Sequence, residues 1–294
     1  MRRTAATHYR RIAAPTVTLH ILAFSSAKRH IMDLQLTDKT AIVTGGTGGI
    51  GLEIARALSL EGARVTITGR SQAKLDEAIA DIAASGGTPV TGIAADVATA
   101  EGATQLAHAL PRIDILVNNL GIYESKAFGE ISDADWTTMF DVNVMSGVRL
   151  SRSYLPGMLE RNWGRIIFIS SESAISIPSD MIHYGTTKTA QLSIARGLAL
   201  TTRGTNVTVN SVLPGPTRSA GIEDFLRSQA SDPSLPIAEI EAEFFATARA
   251  SSIIQRMIEA KEIADLVAYV ASPRASATNG AALRAEGGLV NTIA

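Results

Sequence analysis

The segment TGGTGGIG, Thr44 to Gly51, joins an apolar β-rich run, TAIVT (40–44), to a helix-like stretch, GLEIARALSLEG (51–62). Glycines let the backbone turn tightly and approach a diphosphate, whose negative charge is attracted by the N-terminus of the following helix. At the first strand-to-helix turn of an alternating pattern, this segment predicts a dinucleotide-binding unit. The alternative is a tight turn that binds no ligand.

The same order of strand, turn and helix repeats along the chain. The second helix is predicted to start at an N-cap, Ser71, and to end at Gly86, and a long helix starting at Ser132 is expected to bend at Pro156. Apolar strands alternating with helices indicate a parallel sheet covered on both faces, so we predict one doubly wound α/β domain of the Rossmann type in residues 32–294. The other strands are predicted at 64–68, 89–96, 112–119, 164–170, 206–213 and 281–288, and the other helices at 99–109, 181–203 and 261–271.

Composition excludes several classes of site. The chain has no cysteine and five histidines, three of which lie within the first 31 residues. This excludes disulfides, thiolate nucleophiles and cysteine-ligated zinc, and we predict no metal site. Beyond residue 31 there are 21 basic and 28 acidic residues, so nothing predicts a nucleic-acid partner.

Residues 1–31 form a leader with six basic residues and no acidic residue. It has three interpretations: an upstream start with translation beginning at Met32, an organelle transit peptide, or a secretory signal. Its apolar stretch, IAAPTVTLHILAF, is broken by Pro15 and His20 and is too short to span a bilayer. We expect the leader to add nothing to the fold, and the protein to be cytoplasmic with no membrane partner.

Segment 214–258 departs from the strand–helix alternation. It is longer than an ordinary connection and too apolar for disorder, with Phe225, Leu226, Phe244 and Phe245 within it. We predict a helical lid over a site; a surface insertion is the alternative.

The end of the second strand, TITGR, bears on the choice of dinucleotide. Gly69 stands where NAD-binding proteins have an acidic residue, and Arg70 follows it. A guanidinium there suits the 2′-phosphate of NADP(H), so we predict NADP(H), with NAD(H) as the alternative for the cofactor and a solvated surface arginine as the alternative for Arg70. Asp96, after the third strand, is predicted either to accept from the adenine amino group or to cap the next helix.

Tyr184 and Lys188, in the segment HYGTTK, lie on one helical face because they are four residues apart. An ammonium about 4 Å from a phenol, at an effective dielectric near 20, lowers the phenol pKa by about 3 units. The pair therefore predicts a proton-exchanging tyrosine in an oxidoreductase without zinc. Such pairs also occur by chance on helices.

Several motifs occur together in a characteristic order. They are TGGTGGIG, VNNLG (117–121), Asn143 in DVNV, Ser171 in IIFISS, YGTTK and PGPTRS. In this order and spacing, from about Leu34 to the C-terminus, the chain resembles the short-chain dehydrogenase/reductase family. The resemblance implies that Tyr184 is the general acid/base, that Lys188 lowers its pKa and holds the nicotinamide ribose, and that Ser171 polarises the substrate oxygen. It also implies that Asn143 orders a water, and that the chain forms a homodimer or homotetramer.

The resemblance further implies a set of cofactor contacts. Asp96 and Val97 would flank the adenine, Asn118 and Gly121 the adenosine ribose, and Tyr184 and Lys188 the nicotinamide ribose. The remaining contacts are the turn residues Gly45, Thr47, Gly48, Gly49, Ile50 and Gly51, with Pro214, Thr217 and Ser219 around the carboxamide.

Four positions depart from the family pattern. Gly48 stands where many NADP-binding members have a basic residue, and Leu120 is expected to crowd the cofactor side of the fourth strand. Glu172 and Ser173 are either contacts to a polar substrate or solvated loop residues.

These features predict an NADPH-preferring carbonyl reductase or alcohol dehydrogenase acting on a small molecule. Two alternatives keep the same scaffold: an NADP(H)-sensing regulator without turnover, and an epimerase or dehydratase. A hydrolase is disfavoured because no GxSxG segment is present.

Overall fold

The computed structural model describes residues 32–219 and 221–293, so the predicted leader, residues 1–31, lies outside the described residues. The strands are β1 (Thr40–Val43), β2 (Arg64–Gly69), β3 (Thr91–Ala94), β4 (Ile115–Asn118), β5 (Gly164–Ile169), β6 (Val207–Pro214), β7 (Thr217–Arg218), β8 (Ile258–Glu259) and β9 (Ala282–Ala285). The α-helices are α1 (Gly49–Leu60), α2 (Gln72–Ala83), α3 (Ala100–Ala109), α4 (Asp133–Phe140), α5 (Ser146–Glu160), α6 (Ile182–Thr201), α7 (Ile222–Gln229), α8 (Ile237–Ala246) and α9 (Ala260–Ala271).

Seven of the strands form one parallel sheet in the order β3-β2-β1-β4-β5-β6-β9. Val43 of β1 pairs with Ile67 of β2 on one side and with Val117 of β4 on the other. Because strands are added in opposite directions on the two sides of β1, a crevice opens at the carboxyl ends of β1 and β4. The predicted doubly wound parallel sheet is confirmed.

Apolar side chains cover both faces of this sheet. On one face, Ile54 of α1 and Val267 of α9 belong to a fully buried cluster with Ile67. On the other face, Leu106 of α3 and Leu150 of α5 are fully buried in a second cluster. The carboxyl ends of the strands are thus held by packing on both sides, which fixes the residues that follow each strand.

The long helix predicted to start at Ser132, with a bend at Pro156, is interrupted by a π-helical turn. Ser132 caps α4 as expected, but Asp141–Met145 widens into a π turn before α5 begins. The observed irregularity therefore lies at this turn, and Pro156, where a bend was expected, lies within α5. Turns of this kind are frequent at functional sites, and Asn143 lies at the centre of this one.

Segment 214–258 contains α7, α8 and a short parallel pair formed by β7 and β8. The helical content expected from its sequence is present. An apolar cluster holds it together, comprising Leu226, Ile240, Phe244, Phe245 and Met257. Its function as a lid stays a prediction.

Candidate active site

Two adjoining clefts lie at the carboxyl ends of the central strands, and Gly121 and Ile122 line both of them. We call them the tyrosine cleft and the arginine cleft. Among the predicted site residues, the tyrosine cleft is lined by Ile50, Gly121, Ser171, Tyr184, Lys188, Pro214, Thr217 and Ser219. The arginine cleft is lined by Gly45, Thr47, Arg70, Asp96, Val97 and Gly121. The fold therefore brings most of the predicted residues into one continuous depression.

The glycine turn between β1 and α1 needs its glycines for two physical reasons. Gly45 and Gly49 have φ angles of +62° and +53°, which residues other than glycine rarely adopt. A Cβ on Gly51 would lie 2.4 Å from the Gly45 carbonyl oxygen. The helix α1 has no side-chain cap and no acidic residue in its first turn, so its first amide groups can bind an anion.

Arg70 supplies a positive charge at the end of β2. A Cβ on Gly69 would lie 2.7 Å from Cγ2 of Thr47, so an acidic side chain at this position would displace Thr47. Arg70 is exposed, and within residues 32–219 and 221–293 its guanidinium has neither a hydrogen bond nor an ion pair. Its donors are free for a ligand in the arginine cleft.

Asp96 does not cap the helix that follows it, so that alternative is wrong. Thr99 is the cap of α3, because its Oγ1 accepts from the Gly102 amide at 3.0 Å. Asp96 Oδ1 instead accepts from the Ala98 amide at 3.2 Å, beside Val97 in the arginine cleft. The adenine contact stays a prediction.

Asn118 is not among the residues that line either cleft, and its contact to the adenosine ribose stays a prediction. Its side chain is buried, and its Nδ2 donates to Ser151 Oγ of α5 at 3.3 Å. Successive side chains of a strand point to opposite faces, so the next residue, Asn119, faces the glycine turn. Asn119 Nδ2 donates to the carbonyl oxygens of Thr44 at 2.9 Å and Gly45 at 3.2 Å. Leu120 lines the arginine cleft, as expected.

Ser171, Tyr184 and Lys188 converge in the tyrosine cleft from the end of β5 and the first turns of α6. Lys188 Nζ lies 5.6 Å from the centre of the Tyr184 ring and donates to the Ile169 carbonyl oxygen at 2.9 Å. In return, Ser170 Oγ donates to the Lys188 carbonyl oxygen at 2.9 Å. These two bonds fasten α6 to the end of β5.

The protein's own groups raise the pKa of Tyr184, whereas the sequence predicted a lowered pKa. Burial is the largest cause and the negative charge of Glu172 adds to it, while hydrogen bonding to Ser171 and the charge of Arg249 oppose them. Lys188 is buried, and burial lowers its pKa to about 8, against a smaller opposing effect of Glu172. The difference arises because burial and the charge of Glu172 outweigh the hydrogen bond with Ser171 and the charge of Arg249, while the Lys188 ammonium is engaged with the Ile169 carbonyl oxygen.

Asn143 joins the π turn to the chain segment after β4. Its Oδ1 accepts from the Ile122 amide at 2.7 Å, and its Nδ2 donates to the Ile122 carbonyl oxygen at 2.9 Å and to Thr187 Oγ1 at 3.0 Å. Its own carbonyl oxygen accepts from Gln191 Nε2. The residue thus positions Ile122 between the two clefts; its predicted contact to a water stays a prediction.

Glu172 and Ser173 are 5% and 2% exposed, so their interpretation as solvated loop residues is wrong. The Glu172 carboxylate accepts from Ser171 Oγ at 2.6 Å and from Ser173 Oγ at 3.2 Å. Arg249 Nε lies 3.7 Å from the same carboxylate. These residues line a third cavity, the Glu172 pocket, which shares Ser171 and Tyr184 with the tyrosine cleft.

Sequence reasoning missed three residues of the site: Asn119, Tyr123 and Arg249. The alternation of side chains along β4 could have identified Asn119. Tyr123 packs edge-on against Tyr184, with 6.3 Å between ring centres, and no motif marks it. Arg249 lies 65 positions after Tyr184 within the variable segment 214–258, where spacing carries no signal.

Residues 32–219 and 221–293 contain neither a membrane-spanning helix nor a metal-binding cluster. No helix among them is long and apolar enough to cross a membrane. No group of three or more histidine and acidic side chains among them could hold a metal ion.

Known proteins with the same architecture were found by sequence and by structure. The uncharacterized oxidoreductase YvaG of Bacillus subtilis (strain 168) is 49% identical over 263 residues, covering 89% of this chain and all of that protein. The structure of L-sorbose reductase from Gluconobacter frateurii, complexed with NADPH and L-sorbose, has a TM-score of 0.82 at 29% identity and covers 89% of this chain and all of that one. A 7α-hydroxysteroid dehydrogenase complexed with NADH has a TM-score of 0.76 at 28% identity, covering 89% and 98%.

The family comparison covers more than half of the sequence. The profile described as short chain dehydrogenase matches residues 39–230, which include the glycine turn, Asn143, Ser171, Tyr184 and Lys188. The chain therefore belongs to the short-chain dehydrogenases and is an NAD(P)-dependent oxidoreductase.

Proposed function

We propose that this protein is an NADPH-preferring carbonyl reductase in which Tyr184 donates a proton to the substrate oxygen. One observation carries the proposal: Ser171, Tyr184 and Lys188 line a cleft that continues, through Gly121, into the cleft of Arg70. A nucleotide lying along this depression would reach both the arginine and the tyrosine.

The residues of the arginine cleft fit an NADP-type nucleotide. The N-terminus of α1, which has no side-chain cap, offers amide donors to a diphosphate, and Arg70, whose guanidinium has no partner within residues 32–219 and 221–293, offers its donors to a 2′-phosphate. The similar structures named above contain NADPH in one case and NADH in the other, so likeness alone does not favour either cofactor. Arg70, together with the tight space at Gly69, favours NADPH.

The residues of the tyrosine cleft would handle the proton and the substrate oxygen. When bound, the nicotinamide supplies the hydride that reduces the carbonyl carbon. Ser171 and Tyr184 would donate hydrogen bonds to the carbonyl oxygen, and the Tyr184 hydroxyl would transfer its proton to that oxygen as the alcohol forms. Lys188, held by the Ile169 carbonyl, would bind the nicotinamide ribose and favour the resulting phenolate.

The raised pKa of Tyr184 suits the general-acid role proposed for this phenol in carbonyl reduction. Burial and the charge of Glu172 keep the phenol protonated at neutral pH. A protonated tyrosine can donate to a carbonyl oxygen, whereas alcohol oxidation requires a phenolate that accepts a proton.

Segment 214–258 would form the roof of the substrate site. Phe225 and Phe244 line the Glu172 pocket, and Phe225 packs edge-on against Tyr123, with 6.0 Å between ring centres. Such a roof excludes water from the reacting carbonyl.

We also propose a homodimer or homotetramer in the cytoplasm. Light scattering of the purified protein would test the oligomeric state, and localisation of the tagged full chain would test the compartment.

Nucleotide consumption tests the proposal. Absorbance at the nicotinamide band is followed with NADPH or NADH against ketones, quinones, sugars and acyl thioesters. We expect NADPH oxidation with stoichiometric alcohol formation. Binding of NADPH without oxidation across the panel would support a nucleotide sensor, and product formation without net consumption would support an epimerase or dehydratase.

A further inference from the structure

The Glu172 pocket contains two charged side chains, Glu172 and Arg249, among mainly apolar neighbours. Met181, Phe225 and Phe244 are among these neighbours. An apolar substrate would need only such walls. Two charges beside the reacting tyrosine therefore indicate recognition of a polar group.

Glu172 brings its charge next to the predicted carbonyl site. Its carboxylate is buried, and one of its oxygens accepts the Ser171 hydroxyl at 2.6 Å. The other accepts the Ser173 hydroxyl at 3.2 Å. A carboxylate offers about four acceptor positions, so Glu172 can accept further donors from a ligand. Any such ligand donor would share the Glu172 carboxylate with the Ser171 hydroxyl.

Arg249 is largely buried, yet few of its hydrogen-bond donors have a partner among the described residues. A guanidinium has five N–H donors. Among the residues that the structure describes, the Arg249 side chain makes one hydrogen bond, from Nη1 to the Ala248 carbonyl oxygen at 2.9 Å, and its Nε is buried without a hydrogen-bond partner. By contrast, the fully buried Arg165 donates to three main-chain carbonyl oxygens. Arg165 is a structural arginine, whereas Arg249 has donors left for a ligand.

The pairing of opposite charges restricts the chemistry of that ligand. A ligand carboxylate would satisfy Arg249 but would be repelled by Glu172, whose carboxylate lies 3.7 Å from Arg249 Nε. An ammonium would satisfy Glu172 and be repelled by Arg249. A hydroxyl group satisfies both, because it donates to the carboxylate and accepts from the guanidinium.

We infer that the substrate is a neutral hydroxylated carbonyl compound, a hydroxyketone or ketose, whose hydroxyl next to the carbonyl is bound between Glu172 and Arg249. This inference rests on the proposed carbonyl reductase function. Such a hydroxyl would donate to the Glu172 carboxylate oxygen that lies 3.7 Å from Arg249 Nε, next to the oxygen that accepts the Ser171 hydroxyl. The two residues thereby act as specificity determinants beside the reacting groups.

A matched substrate pair tests the inference: hydroxyacetone and butanone, which differ by a hydroxyl in place of a methyl. The readout is kcat/KM for hydroxyacetone divided by kcat/KM for butanone, measured by NADPH oxidation. Comparing this ratio among variants cancels the difference in intrinsic reactivity between the two ketones. We expect Glu172→Gln and Arg249→Met each to lower the wild-type ratio by about 10- to 100-fold, as expected for one hydrogen bond to a charged group. Arg256→Met, which removes an exposed ion pair to Glu262, is the control and leaves the ratio unchanged. Pyruvate, an anionic analogue, should be a poorer substrate than hydroxyacetone in the wild type and improve in Glu172→Gln.

The outcomes separate this inference from the proposed function. Unchanged ratios in both variants, with turnover of either ketone, overturn the inference and leave the carbonyl reductase intact. If no carbonyl compound consumes NADPH, the proposed function fails. Thermal unfolding of the protein with NADP⁺ and one of two alcohols then tests hydroxyl recognition separately. A higher unfolding temperature with propylene glycol but not with sec-butanol, and loss of this difference in Glu172→Gln, would support the inference. Equal unfolding temperatures with the two alcohols would overturn it.

Discussion

The arginine cleft and the Glu172 pocket are both proposed ligand sites, but they are built differently. The arginine cleft is formed by short turns after β1, β2, β3 and β4, and its shape follows from backbone geometry at Gly45 and the end of β2. The Glu172 pocket is formed by side chains from the turn after β5 and from segment 214–258. In the proposed function, the backbone would thus determine where a nucleotide lies, while side chains far apart in the sequence would determine which substrate is accepted.

This comparison predicts that cofactor preference and substrate preference can be changed separately. Arg70→Asp removes a charge-assisted contact and places a carboxylate near the 2′-phosphate. We expect the ratio of kcat/KM for NADPH over NADH to fall by roughly 10- to 100-fold or more. The ranking of ketones should stay the same. Arg112→Asp, the same charge change before β4 at the opposite end of the sheet, is the control, and an equal effect there would show that Arg70 is not the discriminating residue.

Lys188 lines the tyrosine cleft, which shares residues with both of these regions, so its titration should affect the whole reaction. Its folded pKa, lowered to about 8 by burial, makes it an ammonium below that pH and a neutral amine above it. Because this pKa is that of the nucleotide-free protein, we expect kcat/KM for NADPH in carbonyl reduction to fall about tenfold per pH unit above pH 8. A rate that stays flat to about pH 10, near the ordinary pKa of lysine, would contradict this.

The two regions also differ in how far the sequence predicts them. Gly45, Gly49 and Gly51 could be identified because only glycine tolerates their backbone geometry, and Tyr184 and Lys188 because helical spacing places them on one face. The effect of the protein on the pKa of Tyr184 could not be predicted, because it depends on burial and on folding Glu172 inward.

Contacts between residues far apart in the sequence could likewise not be predicted from the sequence pattern. Asn119 was not identified because the sequence does not show which face of β4 meets the glycine turn. Arg249 had no signal, since its approach to Glu172 depends on the path of segment 214–258.

Glu172→Gln should move both limbs of the pH profile in the same direction. The negative charge of Glu172 raises the pKa of Tyr184 and also that of Lys188, so its removal lowers both. With sec-butanol as a substrate for oxidation, which needs the phenolate, we expect the acid limb to shift to lower pH and the rate on that limb to rise severalfold. The alkaline limb of butanone reduction should shift to lower pH as well. If the acid limb of oxidation and the alkaline limb of reduction shifted in opposite directions, Glu172 would not act through its charge.

Gly48→Arg should have the smallest effect. A Cβ at this position meets no atom within 4 Å, and the backbone is extended, so a side chain fits without strain. An added surface cation near a phosphate contributes about 0.2–1 kcal/mol, which corresponds to at most about a fivefold gain in NADPH affinity. Calorimetric titration with NADPH and NADH checks this, with Gly48→Gln as the uncharged control; a gain for both nucleotides alike would indicate that the charge does not reach the 2′-phosphate.

The most direct test of the account separates binding from proton transfer at Tyr184. Single-turnover oxidation of NADPH by a ketone is compared in the wild type and in Tyr184→Phe, with the NADPH dissociation constant of each measured in parallel. We predict that the rate falls by about 10²- to 10⁴-fold, as expected for loss of a general acid, while NADPH affinity changes only a few-fold. A variant that reduces the ketone within about threefold of the wild-type rate, with NADPH still bound, would contradict the central role of this phenol.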